Sequence, residues 1–170
     1  VHVMWSEAQI AGQPGTVLMY TRWDGTQRIE PVAVLRSPEG KAEQPVLIVV
    51  GDRLHAVWSG GQYGQIYYSR AYVRDASTPD GWSKPLPLPA PSPVGSSPAL
   101  VADLRGALHV VYAVPVNEKR GIYYTRSDDG GKNWSEAQLV FDAAAAGWMV
   151  ADHPSLAIDE RGMLYVAWVR

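Results

Sequence analysis

The densest run of chemistry-bearing side chains is Ser127-Asp128-Asp129-Gly130-Gly131-Lys132-Asn133-Trp134. A serine hydroxyl and an aspartate carboxylate at this spacing can bind backbone N–H groups across a tight turn, and the paired glycines permit positive φ. Trp134 then supplies a ring to bury. Ser127, Asp129, Gly131 and Trp134 therefore read as a structural turn staple. A calcium loop is the weaker reading, because Asp128, Asp129 and Asn133 lack the alternating ligand spacing and the late glutamate of an EF-hand. Asn133-Trp134-Ser135 is formally a glycosylation sequon, and it coincides with the turn. His2, His55 and His109 invite a metal reading that depends on where the chain places them. No Gly-rich phosphate loop and no Ser/His/Asp set stands in a recognisable context.

The elements that position these residues recur. Val1-His2-Val3-Met4-Trp5 matches Leu54-His55-Ala56-Val57-Trp58, Leu108-His109-Val110-Val111-Tyr112 and Leu164-Tyr165-Val166-Ala167-Trp168, at steps of 53, 54 and 56 residues. Each is an apolar, β-branched and aromatic run of strand length, termed strand B. Strand A precedes it at 45–49, 98–102 and 154–158, each opening on proline, which a first strand position tolerates. Strand C ends in Tyr-Thr/Ser-Arg at 17–22, 66–70 and 122–126, and strand D follows at 29–35, 83–88 and 135–141. The order is B-C-D, A-B-C-D, A-B-C-D, A-B. Four short antiparallel strands at a period near fifty make one propeller blade, whose two faces are buried only by stacking on neighbours. Hence the expectation is an all-β β-propeller segment. It comprises a partial blade over 1–40, blades over 41–90 and 91–142, and a partial blade over 143–170. Three repeats do not close a ring, and the chain enters the repeat in mid-pattern, so a segment of a six- or seven-bladed propeller is expected. The histidines then fall on three different blades, where they cannot converge on one ion and read as strand residues. His153 lies outside that register.

Composition narrows the partners. The 170 residues include one Phe but seven Trp and nine Tyr, a mix suited to half-buried pleated surfaces. The net charge of −2 leaves no electrostatic footprint for nucleic acid. No run is long and apolar enough to suggest membrane insertion. The absence of cysteine excludes a disulfide scaffold and a thiolate-bound metal. No cofactor and no metal site are expected.

Ser127-x-Asp129-x-Gly131-x-x-Trp134 between strands C and D resembles the Asp-box, or BNR repeat, of the sialidase-like β-propellers. Thr21-Arg22-Trp23-Asp24-Gly25-Thr26 keeps only an Asp-Gly turn, and Asp80-Gly81-Trp82-Ser83 follows an insertion. In that family the box is structural and lies away from the substrate face, so the resemblance implies that Asp129 is not catalytic. The resemblance therefore turns the search to the B-to-C loops at 6–15, 59–65 and 113–121, and the D-to-A loops at 36–44, 89–97 and 142–153. It makes Trp58, Gln62 and Tyr63 one candidate group, the alternative being a plain glycine-rich loop. Trp148, Asp152 and His153 are the other: the acid could serve as general acid and the indole could stack on a sugar. Alternatively Trp148 fills the rim, and Asp152-His153 caps the turn before Pro154. Arg22, Arg70 and Arg126 invite comparison with the family's arginine triad, but they end strand C on the Asp-box side. They read as structural, covering aromatic faces or pairing carboxylates. The family's Arg-Ile-Pro element is absent, and no nucleophile Tyr–Glu pair can be assigned. The resemblance thus implies a binding or scaffold module of an exported or cell-surface protein, with glycans as partners. The alternatives are an exo-acting sialidase-type glycoside hydrolase with part of its site elsewhere, and a self-assembling module. The further partners are the rest of the propeller or another copy of the chain.

Overall fold

The computed structural model describes residues 1–8 and 15–170. The expected loop at 6–15 lies for the most part outside them. Among the described residues all regular structure is β except one 3-10 turn at Pro79–Gly81. The first sheet pairs β1 (His2–Glu7), β2 (Val17–Arg22) and β3 (Val32–Leu35) in that order. The second runs β4 (Lys41–Val50), β5 (Arg53–Gly61), β6 (Gln65–Tyr72) and β7 (Leu86–Pro87). The third runs β8 (Ser96–Ala102), β9 (Leu108–Val114), β10 (Gly121–Ser127) and β11 (Gln138–Asp142). β12 (Asp152–Ile158) and β13 (Leu164–Val169) form the fourth. All pairings within these sheets are antiparallel, and the chain follows the expected order of B-C-D, A-B-C-D, A-B-C-D, A-B. The result is a propeller-like stack of meandering sheets, with the strand-A elements β4, β8 and β12 lying side by side from one sheet to the next.

Strand periodicity divides each middle strand between two cores. In β5, Ala56 and Trp58 join Leu18, Tyr20 and Leu35 of the first sheet, while Val57 joins Leu100, Leu108 and Val110 of the third. Both faces are covered, so β5 beyond Arg53 and all of β9 are buried, and their sequences are nearly continuous apolar runs. Each buried Val or Leu among them contributes about 1.5–3 kcal/mol on burial. β13 carries the same type of sequence but alternates between half-buried and exposed, because one of its faces is uncovered.

The D strands are shorter than expected. The second shrinks from 83–88 to Leu86–Pro87, since Pro85 and Pro87 cannot donate to the ladder. Conversely β4 begins at Lys41, earlier than the expected 45, by passing through a bulge. Residues 143–147 form a turn in which the Asp142 carboxylate accepts the N–H of Ala145 at 2.8 Å.

Candidate functional site

The two ends of the sheets are built differently. At the C–D end, the Ser127–Trp134 turn closes on itself. Ser127 Oγ donates to Asp129 Oδ1 at 2.9 Å and accepts the N–H of Gly131 at 2.8 Å. The N–H groups of Lys132 and Asn133 both donate to Asp129 Oδ1 at 2.9 Å, and Asn133 Nδ2 donates to Oδ2 at 2.7 Å. The two bonds from Asn133, backbone first, hold the Asp129 carboxyl well below the usual carboxylate range. The closed turn then docks on the second sheet. Trp134 stands edge-on to Tyr68 with centroids 5.1 Å apart, and Tyr68 Oη donates to Gly130 O at 3.1 Å. Arg70 Nη1 donates to the same carbonyl. Gly131 sits at φ 83°, where a Cβ would come within 1.9 Å of the Tyr68 hydroxyl oxygen, so glycine is required twice over.

Behind this contact lies a repeated pair. His55 Nδ1 meets Tyr68 Oη at 2.7 Å, as His2 meets Tyr20 at 2.7 Å and His109 meets Tyr124 at 2.8 Å. Since the Tyr68 hydroxyl donates to Gly130, His55 Nδ1 must carry the proton it receives. Burial, reinforced by Arg70 and Arg53, pushes the His55 pKa down to about 4. Each histidine thus serves its own sheet. Of the strand-C arginines, Arg126 pairs with the Asp128 carboxylate as expected, whereas Arg70 binds a backbone carbonyl of the next sheet.

At the opposite end, β4, β8 and β12 each carry a bulge at a residue preceding proline, between Glu43 and Val46, Ser96 and Ala99, and Asp152 and Ser155. A proline cannot donate to the ladder, and a bulge accommodates it. The preceding residues adopt left-handed backbone: Gln44 at φ 53°, Ser97 at 50° and His153 at 50°. They are three of the four non-glycine residues with positive φ among the described ones. Each conformation costs on the order of 1 kcal/mol or more, and the position before proline disfavours it further. Side chains from neighbouring sheets hold the geometry. Ser97 N donates to Gln44 Oε1 at 2.8 Å, and Gln44 Nε2 donates to Ser97 Oγ at 3.3 Å. Ser97 Oγ and Ser96 Oγ each donate to Asp152 Oδ1 at 3.0 Å, as does His153 N at 2.8 Å. A directed relay, amide to hydroxyl to carboxylate, therefore crosses three sheets. A cavity of about 260 Å³ opens beside its Gln44–Ser97 part, lined by Gln44, Val46, Ser97, His153 and the three prolines Pro45, Pro98 and Pro154, with Asp152 outside the lining.

The candidate residues are distributed around this end. Asp152 and His153 belong to the start of β12 and not to a loop ahead of it; their side chains are 22% and 68% exposed, with Oδ2 3.6 Å from Nδ1. Trp148 is set apart from them. Its ring packs on Phe141 at 4.7 Å, Arg170 lies 5.2 Å from its centroid, and its carbonyl accepts Arg120 Nε at 2.7 Å, so it fills the wall between the third and fourth sheets. Trp58 is fully buried, stacks on Tyr67 and donates to Ser37 Oγ at 3.0 Å, so, unlike the expectation, it offers no surface to a ligand and supports the loop above. That loop does present Gln62 and Tyr63, the latter 66% exposed, over a cavity of about 240 Å³ shared with Glu39 and Pro93. Gln44 and Ser97 were not singled out by the sequence, although the loops 36–44 and 89–97 end on them. The available signal was a polar residue before proline at each strand-A start.

No family model matches the chain, and neither does any curated protein. Among solved structures, a protein of unknown function from Dyadobacter fermentans is similar with a TM-score of 0.62 at 15% identity, over 95% of this chain and 54% of its own. An α-L-arabinofuranosidase from Podospora anserina, solved in complex with cellotriose, gives 0.55 at 14%, over 98% and 58%. A thermostable family-43 glycoside hydrolase gives 0.51 at 10%, over 89% and 61%. The chain therefore spans 54–61% of the length of each of these structures. At these identities the likeness shows the fold alone: an all-β, propeller-like architecture shared with two glycoside hydrolases.

Proposed function

We propose that the chain is a segment of a sialidase-like Asp-box propeller, part of a six- or seven-bladed ring in an exported or cell-surface protein, and that it binds glycans at the strand-A end. Its full blades are those at 41–90 and 91–142, flanked by partial blades at 1–40 and 143–170. The observation that carries the binding reading is the Gln44–Ser97–Asp152 relay, held on strained backbone across three sheets. Strain of this kind persists where surrounding structure over-determines it, and it concentrates at sites. The chemistry suits a sugar. The Gln44 amide, Ser97 hydroxyl and His153 imidazole that line the cavity, with the Asp152 carboxylate beside His153, can match neighbouring ring hydroxyls, and the three prolines offer apolar surface to C–H faces; Tyr63 belongs to the separate cavity of the 59–65 loop. That two structural neighbours are named as glycoside hydrolases, one in complex with cellotriose, is consistent with this reading.

The test is calorimetric titration of the chain with neutral β-glucan and arabinoxylan oligosaccharides and with sialosides. At least one is expected to bind, and Asp152→Asn to weaken it about tenfold or more by removing one charged acceptor. Absence of binding across the panel by folded protein sinks the reading. A second reading, exo-acting hydrolysis, draws on the Asp152 carboxylate, whose Oδ1 is bonded while Oδ2 lies 3.6 Å from His153 Nδ1 with no hydrogen bond among the described residues. Turnover of a fluorogenic glycoside that Asp152→Asn abolishes supports it, and intact substrate after prolonged incubation counts against it.

A further inference from the structure

The third sheet carries an unfilled copy of an interface that the chain fills twice. Tyr20 of the first sheet receives the edge of Trp82 from the second at 6.2 Å, and Tyr68 of the second receives Trp134 from the third at 5.1 Å. In the latter contact Tyr68 and Arg70 also hold the Gly130 carbonyl. Tyr124 and Arg126 occupy in β10 the positions of Tyr68 and Arg70 in β6, and His109 holds the Tyr124 hydroxyl as His55 holds that of Tyr68. Over them lies an open cavity of about 530 Å³, bounded also by Trp134 and Gln138. Among the described residues His109 is the one hydrogen-bond partner of the Tyr124 hydroxyl. The cavity continues an interface already formed. β12 and β13 pack on the same face of the third sheet, with Trp168 5.0 Å from Phe141 of β11. The outer edge of β13 has no strand beside it among the described residues, and such an edge is a template for a further strand.

We propose that Tyr124, Arg126 and the free edge of β13 dock a two-stranded antiparallel hairpin whose turn carries a positive-φ glycine followed by an indole. The hairpin extends the β12–β13 sheet by two strands. Its indole stands edge-on to Tyr124, and the glycine carbonyl accepts Tyr124 Oη and Arg126. Arg126 now pairs with Asp128, whose side chain is 67% exposed; an ion pair this open is weak and readily exchanged. The inference rests on the ring reading above and is independent of glycan binding at the other end.

The chain's own C–D hairpin is the probe. A synthetic peptide of residues 121–142, closed by a linker because an isolated hairpin is marginal in water, is titrated into the full chain. Saturable one-to-one binding is expected, with amide shifts at Tyr124, Arg126 and along β13. A Trp134→Ala peptide is expected to bind about tenfold or more weakly. Arg126→Ala, at an exposed position that leaves folding intact, and Tyr124→Phe each weaken the unmodified peptide in the protein. If the chain self-associates by lending this hairpin to a second copy, sedimentation shows dimers that the peptide dissociates, which also supports the proposal. Monomers that do not bind the peptide overturn it, as do dimers the peptide leaves intact or equal binding of the Trp134→Ala peptide. Any of these failures leaves the calorimetric test of glycan binding untouched.

Discussion

Asp129 and Asp152 stand at opposite ends of the same stack of sheets, and each is an acceptor of several hydrogen bonds. Asp129 takes all of its bonds from Ser127, Lys132 and Asn133, within four residues of itself. Asp152 takes two of its three from Ser96 and Ser97, which are 56 and 55 residues away in another sheet. The first carboxylate closes a turn and thereby shapes what the turn docks. The second ties neighbouring sheets together where their strands are strained, and keeps one oxygen available. A dense polar motif is therefore no guide to the residues that join distant parts of this fold. Range of contact is the better guide, and four experiments can break or sharpen the contrast.

The largest effect is expected at the staple end. Gly131→Ala drives a Cβ to 1.9 Å from the Tyr68 hydroxyl oxygen at a φ of 83°, so the turn must lift off the second sheet. We expect a loss of about 3 kcal/mol or more, from overpacking and left-handed strain together. Gly130→Ala meets nothing closer than Arg70 Nη1 at 3.8 Å and has only its φ of 69° to contend with, at about 1 kcal/mol. Urea unfolding of the pair separates docking from backbone conformation. Equal losses would show that the close approach to Tyr68 does not matter.

Acid should act on the same end first. His55 is neutral in the folded chain down to about pH 4, whereas in the unfolded chain it takes up its proton near the ordinary 6.5. Between those values the unfolded state binds more protons, so stability rises with pH through the window and falls as pH drops from 6.5 to 4. The difference corresponds to on the order of 3 kcal/mol. His2 and His109, both lowered chiefly by burial, act in the same direction. Asp129, held ionised by its turn, adds a second loss only below its ordinary 3.8. A series of urea midpoints from pH 7.5 to 4 checks this, with His55→Gln flattening the slope. A midpoint constant over that range would contradict the buried neutral imidazole.

These differences of range also explain what the amino-acid order disclosed. The staple was legible because the side-chain partners of Ser127 and Asp129 all lie within residues 127–134, and the blade repeat because each copy restates the same strand pattern. The role of Trp58 was not legible. The strand B to which it belongs was correctly placed, but burial of both its faces depends on two other sheets and on Ser37. Arg70 was expected to cover a ring or pair a carboxylate, and its partner turned out to be a carbonyl 60 residues on. The Gln44–Ser97–Asp152 relay joins residues of three sheets, and no local pattern reports such a meeting. The repeated X-Pro at the start of strand A marked the place without naming the partners.

Replacing the two aspartates tests the comparison directly. Asp129→Ala leaves the N–H groups of Lys132 and Asn133 to water and removes the turn's closure, which should cost about 1–2 kcal/mol, as loss of a helix N-cap does. Ligand binding at the far end should be unchanged. Asp152→Asn keeps an acceptor for Ser96 and Ser97, so its stability cost should stay below about 1 kcal/mol while glycan affinity falls. Unfolding curves and calorimetry on the same preparations decide. If Asp129→Ala lowered affinity as much as Asp152→Asn, the two ends would not be separate.

The smallest expected change is the most informative about strain. His153 holds a φ of 50° immediately before Pro154, with its ring largely in solvent. Glycine at this position removes the left-handed penalty of about 1 kcal/mol, but loosens the unfolded chain by about 0.5–1 kcal/mol. The two nearly cancel, so His153→Gly should shift the unfolding free energy by no more than about 0.5 kcal/mol. Removing the imidazole should nonetheless weaken sugar binding, because it is the exposed polar side chain beside Oδ2 of Asp152. The equivalent change at Ser97 differs: there the hydroxyl links Gln44 to Asp152, and its loss should reduce both stability and affinity. A His153→Gly protein that was clearly destabilised would mean that the imidazole supports the bulge, and the strained end would then be a second staple.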